Sequence, residues 1–424
     1  MNKLELNRSI MESEFNSRTI IDYSLVFILV ATSGFAFFYA NDEYIGMGLM
    51  LSLFVFVSRG MLEKLDLKFI LILATFILWE LFQNFYFQSF ELKSVIGTAA
   101  RFIFAYAVIK CVGRKFIPIY INLIYTVSII SLFVYATFFF PSIANQLVSH
   151  AFKSFLIPVD LQSYEYIPNY IIVAFNSYQE YRNSGPFWEP GAFSVFLCIA
   201  LILNIMTKNK INDYKNILFT ITIITTLSTA GFLALFVILV LVYFFLKPSL
   251  KKVILLLPMI ALFTFLIINL PFMLPKIENN IIIADNNNTS RFGSALSDYK
   301  LISENPILGY GGDLKNMFGT VKWNVKKMHR NNGITAFITQ WGLILFVIYF
   351  YNYKKSADNI CTFFNSNKSL SYIFLTSILL LGFSQGLFKY AFFHSLMFLQ
   401  FAYLVGEYDN QRTDISSVPQ GQTI

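Results

Sequence analysis

Residues 216–246 read "NILFTITIITTLSTAGFLALFVILVLVYFFL", an apolar run much longer than a single helix needs to cross a bilayer. About 20 apolar residues in a helix span the hydrocarbon layer, which is about 30 Å thick. The centre of the run, "LSTAG", places hydroxyl groups and a glycine together, as turns often do. We therefore predict two short membrane-spanning helices that turn near Ser228 to Gly231.

The composition of the whole chain agrees with this membrane assignment. Of its 424 residues, 56% are hydrophobic and only 13% are charged, and the mean hydropathy is +0.60. A water-soluble protein carries about 25% charged residues, so the composition excludes a soluble globular enzyme. The three cysteines, Cys111, Cys198 and Cys361, lack metal-ligand spacing and are interpreted as small apolar side chains.

Ten further apolar runs are long enough for membrane-spanning helices. They fall near 21–39, 44–58, 67–82, 95–110, 117–140, 191–207, 253–274, 334–352, 370–387 and 390–406. The sequence thus predicts an all-α polytopic membrane protein with about twelve transmembrane helices. Helices one to five lie in residues 1–140, six to nine in 191–274, and ten to twelve in 334–424, which ends in a polar tail.

The basic residues predict the orientation. With the N-terminus in the cytoplasm, nineteen Lys and Arg residues fall in cytoplasmic segments, whereas only Lys93 and Lys389 fall in the short external turns. Such an excess on the cytoplasmic side is the usual topology signal. Both termini are therefore expected in the cytoplasm, and we find no cleaved signal peptide in the first twenty residues. The formal charge of +8 reflects this topology, and no nucleic-acid partner is expected.

Two long connections, residues 141–190 and 275–333, are predicted to lie outside the cytoplasm. The second holds eight Lys and Arg against five Asp and Glu, and its last part is the most basic. The basic residues of that part are Lys315, Lys322, Lys326, Lys327 and Arg330, with His329 among them. A cationic loop over the outer membrane face suits an anionic head group such as a diphosphate. The alternative is a solvated loop that touches lipid phosphates in general.

The first long connection ends in "RNSGPFWEP", which places Arg182 and Glu189 directly before the sixth span. Pro190 favours a helix start, and an anion is stabilised at a helix N-terminus. One interpretation is therefore that Glu189 caps this helix and Arg182 anchors it at the interface. The other is that both side chains face a polar substrate.

Four stretches together resemble the bacterial O-antigen polymerases of the O-antigen ligase/polymerase superfamily. "RNSGPFWEPGAF" is similar to the Arg–Gly–Phe–Glu–Pro–Gly segment of that family, and "LSTAGFLALF" to its Ser–Arg–Gly turn, with Thr229 and Ala230 in place of the usual arginine. "SRFGSALSDYKLISENPILGYGG" looks like the pattern of Arg, Asn-Pro and Gly-x-Gly. "MHRNNGITAFITQWGLILF" is similar to a His-Asn element, here interrupted by Arg330. The resemblance covers roughly residues 180–345.

This resemblance implies a GT-C-like inner-membrane glycosyltransferase that polymerises surface polysaccharide for lipopolysaccharide. Its substrates would be oligosaccharides linked to undecaprenyl diphosphate, and a chain-length regulator and a flippase would act in the same pathway. Because Lys and Arg can stabilise the leaving diphosphate, no metal or other cofactor is expected. His329 or Glu189 would be the catalytic base, with His329 preferred because Glu189 is expected to cap its helix. Substrate binding would fall to Arg182, Arg291, Arg330, Lys326, Lys327, Arg101 and Trp188.

Two rival functions stay open at this point. A ligase of the same superfamily would transfer finished glycan to lipid A-core by the same chemistry. A flippase or secondary transporter of the lipid-linked oligosaccharide would tend to show two related halves and polar residues at mid-membrane, which this chain does not show.

Four charged or titratable side chains lie near the predicted outer helix ends. Arg101 is open between a functional and a structural role, whereas Glu80, Lys389 and His394 are interpreted as structural.

Overall fold

The computed structural model describes residues 17–38, 41–89, 92–137, 139–140, 157–159, 167–169, 182–246, 258, 291–318 and 332–404. The helices before the first long connection are α1 Ser17–Gly34, α2 Asp42–Ser58, α3 Leu67–Tyr86, α4 Leu92–Val112 and α5 Phe116–Thr137. After it come α6 Pro190–Lys208, α7 Tyr214–Thr225, α8 Thr229–Leu246, α9 Arg291–Glu304, α10 Leu314–Phe318, α11 Gly333–Phe363, α12 Ser369–Ser384 and α13 Ala391–Ala402. Short 3₁₀ turns, Met61–Lys64 and Gly113–Lys115, precede α3 and α5.

The all-α prediction needs one correction in the first long connection. Two short strands, β1 Ile157–Val159 and β2 Ile167–Asn169, pair antiparallel there, with Pro158 opposite Pro168. Both strands lie in the segment predicted to be external, where the backbone can pair without crossing lipid. The rest of the described structure is helical, as the hydropathy pattern predicts.

Four helical segments among the described residues are long and apolar enough to cross a membrane. They are Leu67–Tyr86, the continuous segment Leu92–Thr137, Pro190–Lys208 and Gly333–Phe363. Shorter apolar helices cover Thr229–Phe245, Ser369–Ser384 and Ala391–Ala402. The predicted span 253–274 lies outside the described residues, and a total of twelve spans and a GT-C-like fold stay predictions.

Helix α6 is the centre of the bundle. Almost every side chain from Pro190 to Met206 is buried, on all faces of the helix. It packs against α5, α7, α8, α11 and α12. A helix that is apolar all round is stable only when other elements surround it, and α6 satisfies this rule. The three cysteines are buried and unpaired, as expected for small apolar side chains.

The long apolar run 216–246 is divided into two helices, as predicted, but the turn lies earlier than expected. Helix α7 ends at Thr225 and α8 begins at Thr229, and Leu227 takes a positive φ of 47° at the turn. Gly231 lies inside α8, where a Cβ would come 2.6 Å from the Cβ of Ser194. The glycine therefore serves close packing against α6, and the turn itself is made by Thr226 to Ser228.

Helix α11 runs to Phe363, well beyond the predicted span 334–352, and it is broken at Gly342, where φ is 77° and ψ is 170°. The segment 305–312 of the second long connection fits into the break. The N–H groups of Tyr310 and Gly311 donate to the carbonyls of Thr339 and Gln340 at 2.9 Å each. Irregular backbone at membrane depth is tolerated only when its polar groups are satisfied by protein, which this exchange achieves.

The same exchange continues on both sides of the break. The N–H of Leu343 donates to the carbonyl of Pro306 at 2.9 Å. From α3, the amide of Gln83 donates to the carbonyls of Leu308 and Gln340 at 2.5 and 2.8 Å, and the indole of Trp79 donates to Leu308 at 3.1 Å. The segment 305–312 is thereby fixed to α3 and α11 at one end of the bundle.

Residues that the charge pattern assigns to one side of the membrane lie together in the structure. At the predicted cytoplasmic end, Arg59 pairs with Asp22 at 2.7 Å and Lys110 with Asp66 at 2.9 Å. At the opposite end, the N–H of Ala36 donates to the carbonyl of Pro186 at 2.8 Å. These contacts agree with the predicted grouping of the connections that they join, while the membrane topology and the side that each group faces stay predictions.

Cysteine labelling tests which group faces the cytoplasm. In a background without the three native cysteines, we expect Asn365→Cys to react only from the cytoplasmic side and Lys93→Cys only from outside, because of the excess of basic residues near Asn365. Both positions are exposed, so access to the reagent is not limited by packing. Reaction of Lys93→Cys from the cytoplasmic side alone would reverse the topology.

Candidate active site

The segment 182–190 is held by its own polar groups at the end of the bundle that is predicted to face outward. The N–H of Asn183 donates to the carbonyl of Thr225 at 3.0 Å, and its amide donates to the hydroxyls of Ser131 and Thr225. Gly185 has a φ of 51°, which glycine adopts without strain. The segment is therefore fixed against the turn between α7 and α8 before it enters α6.

Glu189 lies directly before α6, as predicted, but its carboxylate does not cap the helix. Its backbone is extended, and no side-chain hydrogen bond reaches the N–H groups of the first turn. Instead the Gln385 amide donates to Oε1 of Glu189. The expectation that capping would occupy Glu189 is wrong, because its carboxylate, although close to Gly191 in the first turn, accepts from Gln385, which follows α12, and not from the helix N–H groups.

Trp188 and Arg182 contact different parts of the bundle. The Trp188 ring packs against the Tyr390 ring with centroids 5.7 Å apart, beside the connection between α12 and α13. Arg182 is part-buried, and its Nε donates to the carbonyl of Thr226 at 3.1 Å. The guanidinium is thus directed to the turn between α7 and α8, in the stretch that lacks the arginine usual in the family.

A cavity of about 420 Å³ opens at this end of the molecule. It lies between α3, α4, the second long connection, α11, and the connection from α12 to α13. Its polar lining comprises Thr98, Arg101, Gln340, Lys389 and His394, and its aromatic lining comprises Phe76, Phe102, Phe337, Trp341 and Phe388. Backbone is exposed at Gly311, Gly312, Gly333 and Gly386, and Met317 and Ala336 complete the described walls. This mixture of apolar walls and a few polar groups is typical of ligand sites.

The cations of the cavity have little compensation from protein carboxylates. Among the described residues, Arg101 forms an ion pair with Asp42 at 3.8 Å, and the Asp42 side chain is 70% exposed. An exposed ion pair of this length contributes little. Lys389 lies over the ring of Tyr390, 5.1 Å from its centroid. The lining described above contains no Asp or Glu, although Glu80 lies behind Gly312 and accepts a hydrogen bond from Ser94.

Desolvation of the amine by the surrounding protein lowers the pKa of Lys389 from its ordinary value, and repulsion from Arg101 lowers it further. Water still reaches the side chain, because Lys389 lies in the connection between two helices and faces the cavity. The cavity is therefore a cationic site in which Lys389 gives up its proton more readily than a surface lysine.

His394 is fixed at the buried side of the cavity. Its Nδ1 lies 2.9 Å from the hydroxyl of Tyr349, and its ring packs on Phe102 with centroids 4.4 Å apart. The neighbouring hydroxyl of Tyr353 donates to the carbonyl of Phe393. The hydrogen bond to Tyr349 fixes the orientation of the imidazole ring, so the direction of its Nε2 edge is fixed as well.

The structure describes only part of the predicted site. Arg101 lines the cavity, whereas Glu189 and Arg182 are absent from its described lining, although Glu189 contacts Gln385 beside it. Arg291 begins α9, whose Phe292 packs against Phe383 near the end of α12, with ring centroids 5.6 Å apart. Four predicted residues lie outside the described part of the chain, namely His329, Arg330, Lys326 and Lys327.

Sequence reasoning missed two residues of the cavity. Lys389 and His394, interpreted above as structural, both line it. The signal was present, because titratable residues near membrane-spanning helices are functional candidates by default. The side-chain length that allows a lysine to reach the interface made the structural interpretation equally simple.

Comparison with known proteins gives one family. The model of the O-antigen ligase family matches residues 216–350, and no curated protein or solved structure matches the chain. The matched segment includes the turn between α7 and α8, the loop that fills the break in α11, and Gly342 itself. Three of the four motifs that carry the resemblance fall in this stretch, whereas RNSGPFWEPGAF precedes it. Over this segment the chain is similar to the O-antigen ligase family, which supports membership of the O-antigen ligase/polymerase superfamily, a class of glycosyltransferase-like enzymes.

Proposed function

We propose that this protein is a surface-polysaccharide polymerase of the bacterial inner membrane. It joins oligosaccharide repeat units carried on undecaprenyl diphosphate, at the outer face of the membrane. The hydroxyl oxygen of the acceptor sugar forms a bond to the anomeric carbon of the donor glycan as the bond from that carbon to the lipid diphosphate breaks. The lipid diphosphate leaves, and the acceptor hydroxyl loses its proton to a base. The donor is already activated, so the reaction needs no nucleotide and is proposed to be metal-independent.

The observation that carries the proposal is the cationic cavity beside Glu189. The chemistry needs a positive site for a leaving diphosphate and a carboxylate or imidazole for the acceptor proton. Arg101 and Lys389 supply the first within one cavity, and Gln385 holds Glu189 next to it. Aromatic walls such as Phe337 and Trp341 suit sugar rings and isoprenoid chains.

The proposed roles of the other predicted residues follow from the same chemistry. Arg182 and Arg291, which are absent from the described lining of the cavity, would form a second phosphate-binding pair outside it, and Trp188 would stack on a sugar. His329 is the second candidate base. Lys326, Lys327 and Arg330 would attract the anionic lipid to the outer face.

Ligation is the second candidate function, because the matching family model is described as an O-antigen ligase. Donor and leaving group are the same in both reactions, and only the acceptor differs. A flippase or transporter is the third candidate. It is disfavoured because the two halves of the sequence differ and two long polar connections, 141–190 and 275–333, lie between the apolar runs.

Deleting the gene and separating the surface polysaccharide on a gel distinguishes the three functions. A polymerase mutant retains a single repeat unit on its lipid, so we expect one band of one-repeat material. Long chains that accumulate on the lipid carrier would indicate a ligase instead. Loss of every surface repeat unit would indicate a flippase, and an unchanged ladder would exclude all three.

A further inference from the structure

His394 has one ring nitrogen that the described residues leave unused. Its Nδ1 lies 2.9 Å from the hydroxyl of Tyr349, whereas its Nε2 has no hydrogen-bond partner among the described residues. The side chain lines the cavity, although only 5% of the residue is exposed. Tyr349 is not part of the described lining, so the nitrogen that faces the open space is Nε2. A polar atom in such a place is costly unless a ligand or water pairs with it.

Two tyrosines beside His394 determine which ring nitrogen carries its proton. The hydroxyl of Tyr353 donates its single proton to the carbonyl of Phe393, which can only accept. The hydroxyl of Tyr349 can then donate either to the Tyr353 oxygen at 3.4 Å or to Nδ1 of His394 at 2.9 Å. The longer distance exceeds the usual range of about 2.5–3.0 Å for two hydroxyl groups. Nδ1 is therefore an acceptor, and the ring is neutral with its proton on Nε2.

The surroundings of this N–H donor suit an uncharged ligand. The ring of Phe102 packs on the imidazole with centroids 4.4 Å apart. Phe76 continues the same wall, with ring centroids 4.9 Å from Phe102 and 5.2 Å from Trp341. All four side chains line the cavity. Aromatic faces next to one fixed donor match the C–H face and a hydroxyl oxygen of a sugar ring.

The charged groups of the cavity are more accessible to solvent than His394 is. Lys389 is exposed, and the Arg101 side chain is 31% exposed. Phosphate oxygens form stronger hydrogen bonds with charged donors than with neutral ones. A charged head group would therefore contact these two side chains in preference to the imidazole, which leaves His394 to a neutral part of the substrate.

We propose that His394 is a specificity-determining residue whose Nε2 donates a hydrogen bond to a hydroxyl oxygen of a substrate sugar, with Tyr349 as the positioning residue that fixes the tautomer. The inference rests on the proposed function for the identity of the substrate, a lipid-linked repeat unit. It gives His394 a role in binding and none in proton transfer, because a nitrogen that already carries its proton cannot accept another from the acceptor hydroxyl.

Saturation-transfer NMR on the purified full-length protein in detergent tests the site. The probe is the repeat oligosaccharide released from the bacterium's own surface polysaccharide. We expect His394→Phe to raise its Kd by roughly 5- to 100-fold, because a sugar hydroxyl in a buried site loses its donor. His394→Gln should recover part of the affinity, since the glutamine amide donates from about the position of Nε2. A wild-type Kd for His394→Phe would overturn the proposal, and so would an absence of binding to the wild type.

Tyr349→Phe tests the positioning role. Without the hydroxyl either ring nitrogen can carry the proton, so the Kd should rise by roughly 2- to 10-fold. Tyr403→Phe is the matched control, because its hydroxyl is equally buried and donates to the carbonyl of Arg114, away from the cavity. Its Kd should equal that of the wild type, and thermal unfolding of each variant checks that the protein is folded. Equal Kd values for the two variants would exclude Tyr349 as the positioning residue.

The kinetics of polymerisation in isolated membranes separate binding from proton transfer. His394→Phe should raise the KM for lipid-linked repeat units and leave kcat within about 10-fold of the wild type, whereas loss of a general base lowers kcat by about 100-fold or more. A loss of kcat at unchanged KM would identify His394 as a base and overturn the proposal. The binding measurements do not require polymerase activity and the gel assay does not involve His394, so the two proposals fail separately.

Discussion

Glu189→Gln is expected to reduce chain extension by about 100- to 10,000-fold, the usual contribution of a positioned general base. The substitution keeps the shape of the side chain and a hydrogen-bonding partner for Gln385, and it removes the negative charge. Because no capping bond is lost, the protein should insert and accumulate normally. Polymerisation of lipid-linked repeat units in isolated membranes measures the effect.

Glu63→Gln is the control for this experiment. Glu63 is an exposed carboxylate at the opposite end of the bundle, so its loss should leave polymerisation unchanged. His329→Ala, measured beside it, distinguishes the two candidate bases. Product of wild-type length and amount from Glu189→Gln would exclude Glu189 and leave His329 as the base.

The largest effect on stability is expected for Gly342→Ala. The backbone at Gly342 lies in a region that essentially only glycine adopts, and a Cβ there would come 1.8 Å from the carbonyl oxygen of Ile307. Backbone strain and overpacking together should lower the free energy of unfolding by about 2–6 kcal/mol. The loop 305–312 would leave the break, and the carbonyls of Thr339 and Gln340 would lose their partners.

Thermal unfolding of the detergent-purified protein measures this loss, together with the yield of monodisperse material. Gly46→Ala in α2 is the matched control, because nothing lies within 4 Å of a Cβ at that position. Alanine is favoured over glycine in a helix, so this variant should be at least as stable as the wild type. A wild-type unfolding temperature for Gly342→Ala would show that the break in α11 is not required.

Local sequence predicted the helices well where the apolar pattern was continuous. The start of α6 at Pro190 follows from the proline, and the run 216–246 is divided in two as expected. The turn between α7 and α8 was predicted too late in the sequence because Gly231 was interpreted as a turn residue, whereas it allows close contact with Ser194. Such a contact depends on the neighbouring helix, and no local pattern reveals it.

The candidate site was predicted in part for a related reason. The order of the motifs indicated Glu189 and the segment 305–312, which begins with Asn-Pro, because both lie in stretches rich in turn residues. Nothing local showed that Gln385 would bind Glu189, or that Arg101 and Lys389 would face one cavity. These pairs are separated by about two hundred residues or more. Packing of α6 against α12 brings the first pair together, and packing of α4 and α11 against α13 brings the second pair together.

The sequence by itself determined the membrane class, the helical architecture, the division of the connections into two groups, and the family resemblance. These follow from hydropathy, basic-residue bias and residue order, which act over one helix or one loop at a time. The tertiary structure alone decided that the Asn-Pro loop fills the break at Gly342 and that the cavity has two cations. The physical reason is that the first depends on backbone hydrogen bonds, and the second on the positions of charged side chains, between segments that meet only after the bundle has packed.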